Sequence, residues 1–189
     1  MFQALALSAC LAITTLGLSG AASAQVTHTP QQPYAHLQSR PVKALSDQQI
    51  ADLRAGRGMG YALPAELNGY PGPAHTLENA DALMLSPVQR ESTKALFEAM
   101  KSEVVPLGER LIQQETELER LFAEKAVTPV ILETATGAIG VTQGALRAAH
   151  LRYHLAMMEV LTPEQAQRYT QARGYGGEHG QEGHGTHAR

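Results

Sequence analysis

Apolar side chains recur at helical spacing along two long segments of the chain. Within residues 87–125 they follow one another at steps of three, four or seven, and the members are Leu96, Met100, Val104, Leu107, Leu111, Leu118 and Leu121. Within residues 129–160 a seven-residue repeat alternates large and small layers, formed by Leu132, Ile139, Leu146, Tyr153 and Val160 with Ala135, Thr142, Ala149 and Ala156 between them. Such steps place side chains on one helix face. We therefore predict two long helices with narrow apolar seams, the second with small residues that permit close approach.

Motifs of the form Leu-[Ser/Thr]-x-x-Gln indicate where helices begin. They lie at residues 45–49, 85–89 and 161–165. In each, the Ser or Thr side chain can accept from the backbone N–H three residues on, while the Gln reaches back to the first N–H of the box. In the last two copies a proline occupies the first helical position, where its missing donor costs nothing. Each motif therefore predicts a capped helix start.

The two long helices should form a hairpin, because the connection near residues 125–128 is short. Pro106 should bend the first of them. The flanking segments are predicted as a helix near residues 46–55, an irregular Gly/Pro-rich stretch through residues 56–73, a short helix at about residues 74–84 and a helix at residues 163–173 stopped by Gly174. The expected fold class is all-α: a long antiparallel helical hairpin with short N- and C-terminal helices.

Composition excludes several classes of protein. The 189 residues suffice for one ordinary domain, and the net charge of -3 offers no basic surface for nucleic acid. Aromatic residues make up only 5% of the chain, which favours helices rather than β-sheets. A single cysteine, Cys10, excludes a disulfide scaffold.

The N-terminal residues have the pattern of a secretory signal peptide. An uncharged apolar run at residues 4–18 is too short to span a membrane, and Ala22-Ser23-Ala24 follows it as a cleavage site. We expect residues 1–24 to be a Sec-type signal peptide cleaved near Ala24, which leaves a periplasmic chain without cysteine or stable membrane insertion. A lipobox-like Leu7-Ser8-Ala9-Cys10 is the weaker alternative, since few apolar residues precede its cysteine.

The exported chain divides into three parts by composition. Residues 25–44 are rich in Pro and Gln without apolar periodicity, which predicts a flexible leader. Residues 45–174 carry the helical pattern. Residues 175–189 are rich in Gly and His and predict a disordered tail.

The signal peptide, the paired long helices and the motifs at residues 85–89 and 161–165 together resemble the periplasmic LTxxQ superfamily. This superfamily contains the Spy/CpxP chaperone-like proteins and the heavy-metal proteins of ZraP and CnrX type. The resemblance covers most of residues 45–174 and implies a Spy/CpxP-like four-helix arrangement that is commonly dimeric. It also implies one of two activities, binding of unfolded envelope proteins or binding of zinc, nickel, cobalt or copper in metal stress.

Two histidines of the second long helix are candidate metal ligands. His150 and His154 are four residues apart, so both imidazoles can reach one ion. Antiparallel pairing places Glu103 level with His150 and Glu98 level with His154. Imidazole with carboxylate suits divalent Zn, Ni or Co. The alternative interpretation of the same spacing is that both histidines lie on a solvated polar edge of the helix and bind no metal.

The resemblance to CnrX-like sensors extends this ligand set. Their pattern implies a carboxylate on the first long helix, here Glu98 or Glu103, and a histidine on the segment before it, here His75. Met158 follows His154 at a His-x3-Met spacing similar to one in these sensors, and its soft sulfur would suit Cu.

The tail forms a separate candidate. His179, His184 and His187 alternate with Gly and Glu, a composition that binds transition metals loosely. A solubilising tail is the alternative.

No catalytic motif accompanies these residues. The sequence HLRYH at residues 150–154 has Leu151 where a zinc protease needs a glutamate as general base. G-x-S-x-G and Walker A motifs do not occur in the sequence. We therefore expect a periplasmic transition-metal-binding protein of heavy-metal sensing or resistance, or alternatively a Spy/CpxP-like chaperone or envelope-stress regulator. The expected partners are a second copy of the chain and unfolded envelope proteins or a membrane-bound regulator, but no nucleic acid.

Overall fold

The computed structural model describes residues 34–175, and every regular element within them is helical. After a 3-10 turn at Ala35–Leu37, the helices are α1 (Asp47–Arg54), α2 (Leu63–Glu66), α3 (Pro73–Glu78), α4 (Pro87–Ala123), α5 (Pro129–Val160) and α6 (Pro163–Ala172). This confirms the all-α fold and the two long helices. The predicted signal peptide, most of the leader and the tail beyond Tyr175 lie outside the described residues. Between residues 34 and 175, no helix combines the length and apolarity needed to cross a membrane.

All three predicted capping boxes are formed, at the starts of α1, α4 and α6. Two of them also bind each other. The Gln89 amide donates to Gln165 Oε1 at 2.7 Å, and the Gln165 amide donates to Gln89 Oε1 at 3.0 Å. Gln89 further donates to the carbonyl of Val160 at 2.9 Å. The two LTxxQ motifs therefore form one hydrogen-bonded unit that joins the start of α4 to the end of α5 and the start of α6.

The hairpin of α4 and α5 supplies most of the core. Buried seam residues of α4 pack against those of α5, and the set includes Met100, Val104, Leu111, Ile139, Leu146 and Ala149. The helix α4 runs without a break through Pro106. A second cluster, around the end of α5, contains Leu83, Leu85, Leu161, Tyr169 and the fully buried Met157.

The first helix crosses α4 at a glycine. A Cβ at residue 108 would lie 2.7 Å from the carbonyl oxygen of Leu53, so no larger residue fits unless α1 moves away. Just before α1, Val42 and Leu45 enter the same core. Lys43 forms an ion pair with Glu119 near the far end of α4. The predicted leader, residues 25–44, thus includes at its end a buried side chain, Val42.

Two short elements differ from the expectation. The stretch expected to be irregular contains α2, which starts with a proline in its first turn. The helix expected over about residues 74–84 ends at Glu78. The side-chain amide of Asn79 donates to the carbonyl of His75 at 2.7 Å, and the chain then turns toward Ser86. Side-chain bonds of this kind compete with helix continuation.

Candidate metal site

The two helical histidines lie side by side beneath a covering segment. His150 is 3% exposed and His154 is 7% exposed, so neither is the solvated polar edge that was the alternative. Both rings contact residues 58–72, which contain α2 and which we call the cover. The structure therefore places the pair in a buried position, where donors have fixed orientations.

His150 packs against the first part of the cover. Its ring stacks on that of Tyr61, with centroids 6.1 Å apart and planes inclined by 13°. Gly58 passes on another side, where a Cβ would lie 3.7 Å from Nδ1 of His150. Burial, and after it the charge of His154, lower the pKa of His150 below its usual value of 6.5. At pH 7 the ring is therefore neutral, which is the form that binds metal.

His154 packs against the last part of the cover. Its Nδ1 lies 2.7 Å from the carbonyl oxygen of Tyr70. Since a carbonyl only accepts, Nδ1 carries a proton, and in the neutral ring this arrangement leaves the lone pair on Nε2, the tautomer commonly found in metal-bound histidines. Gly72 lies close to the same ring, because a Cβ there would be 2.7 Å from Cε1 and 2.9 Å from Nε2. The cover thus fixes the His154 ring and crowds its Nε2 edge.

A buried carboxylate fastens the cover to α6. Glu66 accepts hydrogen bonds from the Tyr169 hydroxyl at 2.7 and 2.8 Å, from Arg173 Nε at 3.1 Å and from the Tyr175 hydroxyl at 3.2 Å. Its Oε2 lies 3.9 Å from Nδ1 of His154. Burial, and next the Glu66 carboxylate, raise the pKa of Tyr169 far above its usual range, so this hydroxyl remains a donor. We call Glu66, Tyr169 and Arg173 the latch.

Local sequence patterns do not predict the latch. Glu66 and Tyr169 are 103 residues apart, and nothing in the short-range pattern around Glu66 distinguishes it from a surface glutamate. Only the α6 packing that follows the third capping box brings the two together. The available signal was the tyrosine in the apolar face of the short α6, since the hydroxyl of a buried tyrosine needs a hydrogen-bond partner.

The other predicted ligands of the hairpin do not join the histidine pair. Glu103 accepts from Arg152 at 2.6 Å and from the Tyr153 hydroxyl at 3.2 Å. These residues lie on a different face of α5 from His150 and His154, because successive helical residues are about 100° apart.

The remaining ligands are dispersed as well. Glu98 and Met158 are exposed, and His75 is paired with Glu78 at 2.7 Å. Across residues 34–175, no three His, Cys, Asp or Glu side chains are grouped as a metal centre would require. His179, His184 and His187 lie outside the described residues. Of the six predicted ligands within residues 34–175, the structure therefore brings together two, His150 and His154.

A second candidate surface lies at the opposite end of the hairpin. A groove of about 440 Å³ runs between α4 and α5, with Val130, Ile131, Ala135 and Ala138 among its lining residues. Arg110 and Glu117 of α4 also line it, and they supply its charges. Val130 is 72% exposed, and Phe122 in the last turn of α4 is exposed as well. This surface, which we call the distal groove, is apolar and open.

Comparison with known families decides the relationship. The model of the heavy-metal resistance family matches residues 60–168. The chain belongs to the heavy-metal resistance family. This family is part of the LTxxQ superfamily, so the resemblance inferred from the capping motifs is confirmed.

In this member of the heavy-metal resistance family, the matched range includes most of the cover, the whole hairpin and both histidines of the pair. It ends within α6, before Arg173 and the tail. No curated protein and no solved structure matches the chain. The family assignment therefore rests on the region that contains the buried pair and connects its function to heavy-metal resistance.

Proposed function

We propose that this protein binds divalent transition metal ions in the periplasm as part of heavy-metal sensing or resistance. The observation that carries the proposal is the family match over the domain that bears His150 and His154. Proteins of this family are typically periplasmic and act in resistance or sensing rather than as enzymes, which supports a binding role in that compartment.

The histidine pair supplies only part of the ligand set that a divalent transition metal ion needs. His150 and His154 offer two imidazoles, whereas a firm zinc site uses three or four protein ligands. Glu98, Glu103, His75 and Met158 are directed elsewhere and would join only after rearrangement. We therefore propose the pair as one set of donors and His179, His184 and His187 as a second set.

Metal titration of the protein purified from the periplasm tests this proposal. Isothermal titration with Zn, Ni, Co and Cu would be compared among wild type, a His150→Ala/His154→Ala variant and a His179→Ala/His184→Ala/His187→Ala variant. Loss of heat in one variant assigns binding to that donor set. Negligible heat from the wild type with all four ions contradicts the proposal.

A chaperone role is the second candidate function, and the open apolar distal groove favours it. Unfolded clients expose apolar segments, and such a surface is where they would bind. The wild type should suppress aggregation of a denatured test protein without metal, and Val130→Glu should abolish the effect. Val141→Glu is the matched control, since Val141 is a 75% exposed valine of α5 outside the groove lining. Equal suppression by both variants would exclude the groove.

We also propose that the chain forms a homodimer, as its family relationship suggests. The exposed apolar residues of the distal groove support this, because monomeric proteins rarely leave large apolar patches exposed. Light scattering over a range of concentrations should give twice the chain mass. A monomer mass at every concentration would contradict it.

A further inference from the structure

We propose that the cover is a gate over the histidine pair, and that the latch holds this gate closed. His150 and His154 are almost fully buried, and each has the cover against its ring. Gly72 lies so close to this ring that a Cβ there would be 2.9 Å from Nε2 of His154, and we therefore expect an ion to reach Nε2 when the backbone at Gly72 moves away from the ring edge.

The cover is attached by both apolar and polar contacts. Met59 and Tyr61 pack against the hairpin core and Pro71 is buried, but Leu63 is 50% exposed and Leu67 is 57% exposed, so the centre of the cover contributes no large side chain to the core. Lifting the cover therefore exposes less apolar surface than opening a core helix, and the hydrophobic cost scales with that area.

The polar attachments are few and specific. Tyr70 accepts from His154, Glu66 accepts from Tyr169 and Arg173, and the Gly72 N–H donates to the Tyr169 hydroxyl at 3.4 Å. Tyr169 thus binds the cover twice, once at Glu66 and once at Gly72. Removal of this one hydroxyl should raise the population of the open state without disturbing the α4–α5 seam.

Opening of this kind would set the rate at which the pair captures an ion. The biological meaning of the gate rests on the proposed metal binding, but the gate itself can be tested without metal. A protein that binds no metal would overturn the proposed function and leave the measurements below equally informative.

Hydrogen exchange of the wild type gives the first test. The Gly72 amide donates to the Tyr169 hydroxyl, so its exchange requires the cover to separate from α6, and the amides of Glu66, Leu67 and Tyr70 are hydrogen-bonded within the cover, so their exchange requires its local unfolding. They should exchange at least about tenfold faster than the amides of residues 146–157 in α5. Equal rates for the two regions would overturn the proposal, because the cover would then open only on global unfolding.

Carbethoxylation of histidines, read by peptide mass spectrometry, gives the second test. In wild type His150 and His154 should react more slowly than the partly exposed His75. Tyr169→Phe should speed their reaction by about tenfold, the effect of losing hydrogen bonds of ordinary strength, and leave His75 unchanged.

The matched control is Tyr153→Phe, which removes a hydroxyl bonded to Glu103 on the same helix as the pair but away from the cover. It should leave the reactivity of His150 and His154 unchanged. Equal reactivity in the two variants, or fast reaction of the pair in wild type, would overturn the gate. Circular dichroism establishes that Tyr169→Phe is folded, and if it is not, the wild-type exchange result decides.

Discussion

Single residues around the histidine pair show how closely the cover fits. Gly72 has an extended backbone, with φ -92° and ψ 150°, that any residue can adopt, so its smallness and not its flexibility is what the site uses. The sequence could predict the two histidines from their four-residue spacing. It could not predict the roles of Gly72, Tyr70 or Glu66, because their contacts are with residues far away in the sequence. Tyr70 and His154 are 84 positions apart, and Glu66 and Tyr169 are 103 positions apart.

Replacement of Gly72 by alanine should destabilise the protein. The added Cβ would lie 2.7 Å from Cε1 of His154, so the ring must shift and its bond to Tyr70 is strained. We expect the free energy of unfolding to fall by about 1–3 kcal/mol. Gly144→Ala is the control, since nothing lies within 4 Å of its Cβ, and it should raise stability by roughly 0.5–1 kcal/mol. Chemical denaturation measures both free energies of unfolding. An unchanged free energy of unfolding in Gly72→Ala would show that the His154 ring is loosely held.

His150 should make stability depend on pH. Its pKa in the folded state lies below the 6.5 of the unfolded chain, mainly because of burial. The unfolded state therefore binds more protons than the folded state as the pH falls through 6.5. The contribution of neutral His150 to stability is complete above pH 6.5 and is lost as the pH falls below it. Denaturation in a chelating buffer between pH 8 and pH 5 should show this loss. A His150→Leu variant should lose stability less steeply over the same range, and an identical slope would contradict the assignment.

Helix starts are the elements that local sequence specifies best. Each capping box lies within five consecutive residues, and all three predicted starts are confirmed to the residue. Helix ends and the short α2 were harder to predict. They depend on where the chain meets the hairpin, as at Asn79, and not on a local motif. The hydrogen bonds between Gln89 and Gln165 could likewise not be predicted from the sequence, since the local pattern of each residue indicates only a helix cap.

The glutamines of the boxes should therefore differ in their contribution to stability. Gln165→Ala removes the acceptor of the Thr162 N–H in the α6 capping box and both hydrogen bonds of the Gln89–Gln165 amide pair, so we expect a loss of about 2 kcal/mol. Gln49→Ala removes the same capping contact in α1, where the box is exposed and has no second glutamine, and should cost less, about 0.5–1 kcal/mol. Thermal or chemical denaturation compares them. Equal losses would mean that the amide pair adds nothing to the caps.

The whole molecule has two separate candidate surfaces. The histidine pair lies under the cover in the last third of α5, and the distal groove lies toward the hairpin turn. The apolar seams predicted this hairpin and its register to within a few residues, which is enough to place helices but not ligands. The error is visible at Glu103, which was expected opposite His150 and instead binds Arg152 and Tyr153.

The separation of the pair from the tail gives a test at the scale of the whole protein. A ligand raises the unfolding temperature only if it binds the native state better than the unfolded state. An ion held by His150 and His154 needs the folded α5, so saturation at 100 times the dissociation constant should stabilise the protein by about 2.7 kcal/mol. An ion held only by the tail histidines, in a segment predicted to be disordered, would bind both states alike and leave the midpoint unchanged. Thermal denaturation with and without Zn, in wild type and in the triple tail variant, distinguishes them. A midpoint that rises in wild type and rises equally in the tail variant assigns the ion to the pair, whereas heat of binding without any rise assigns it to the tail.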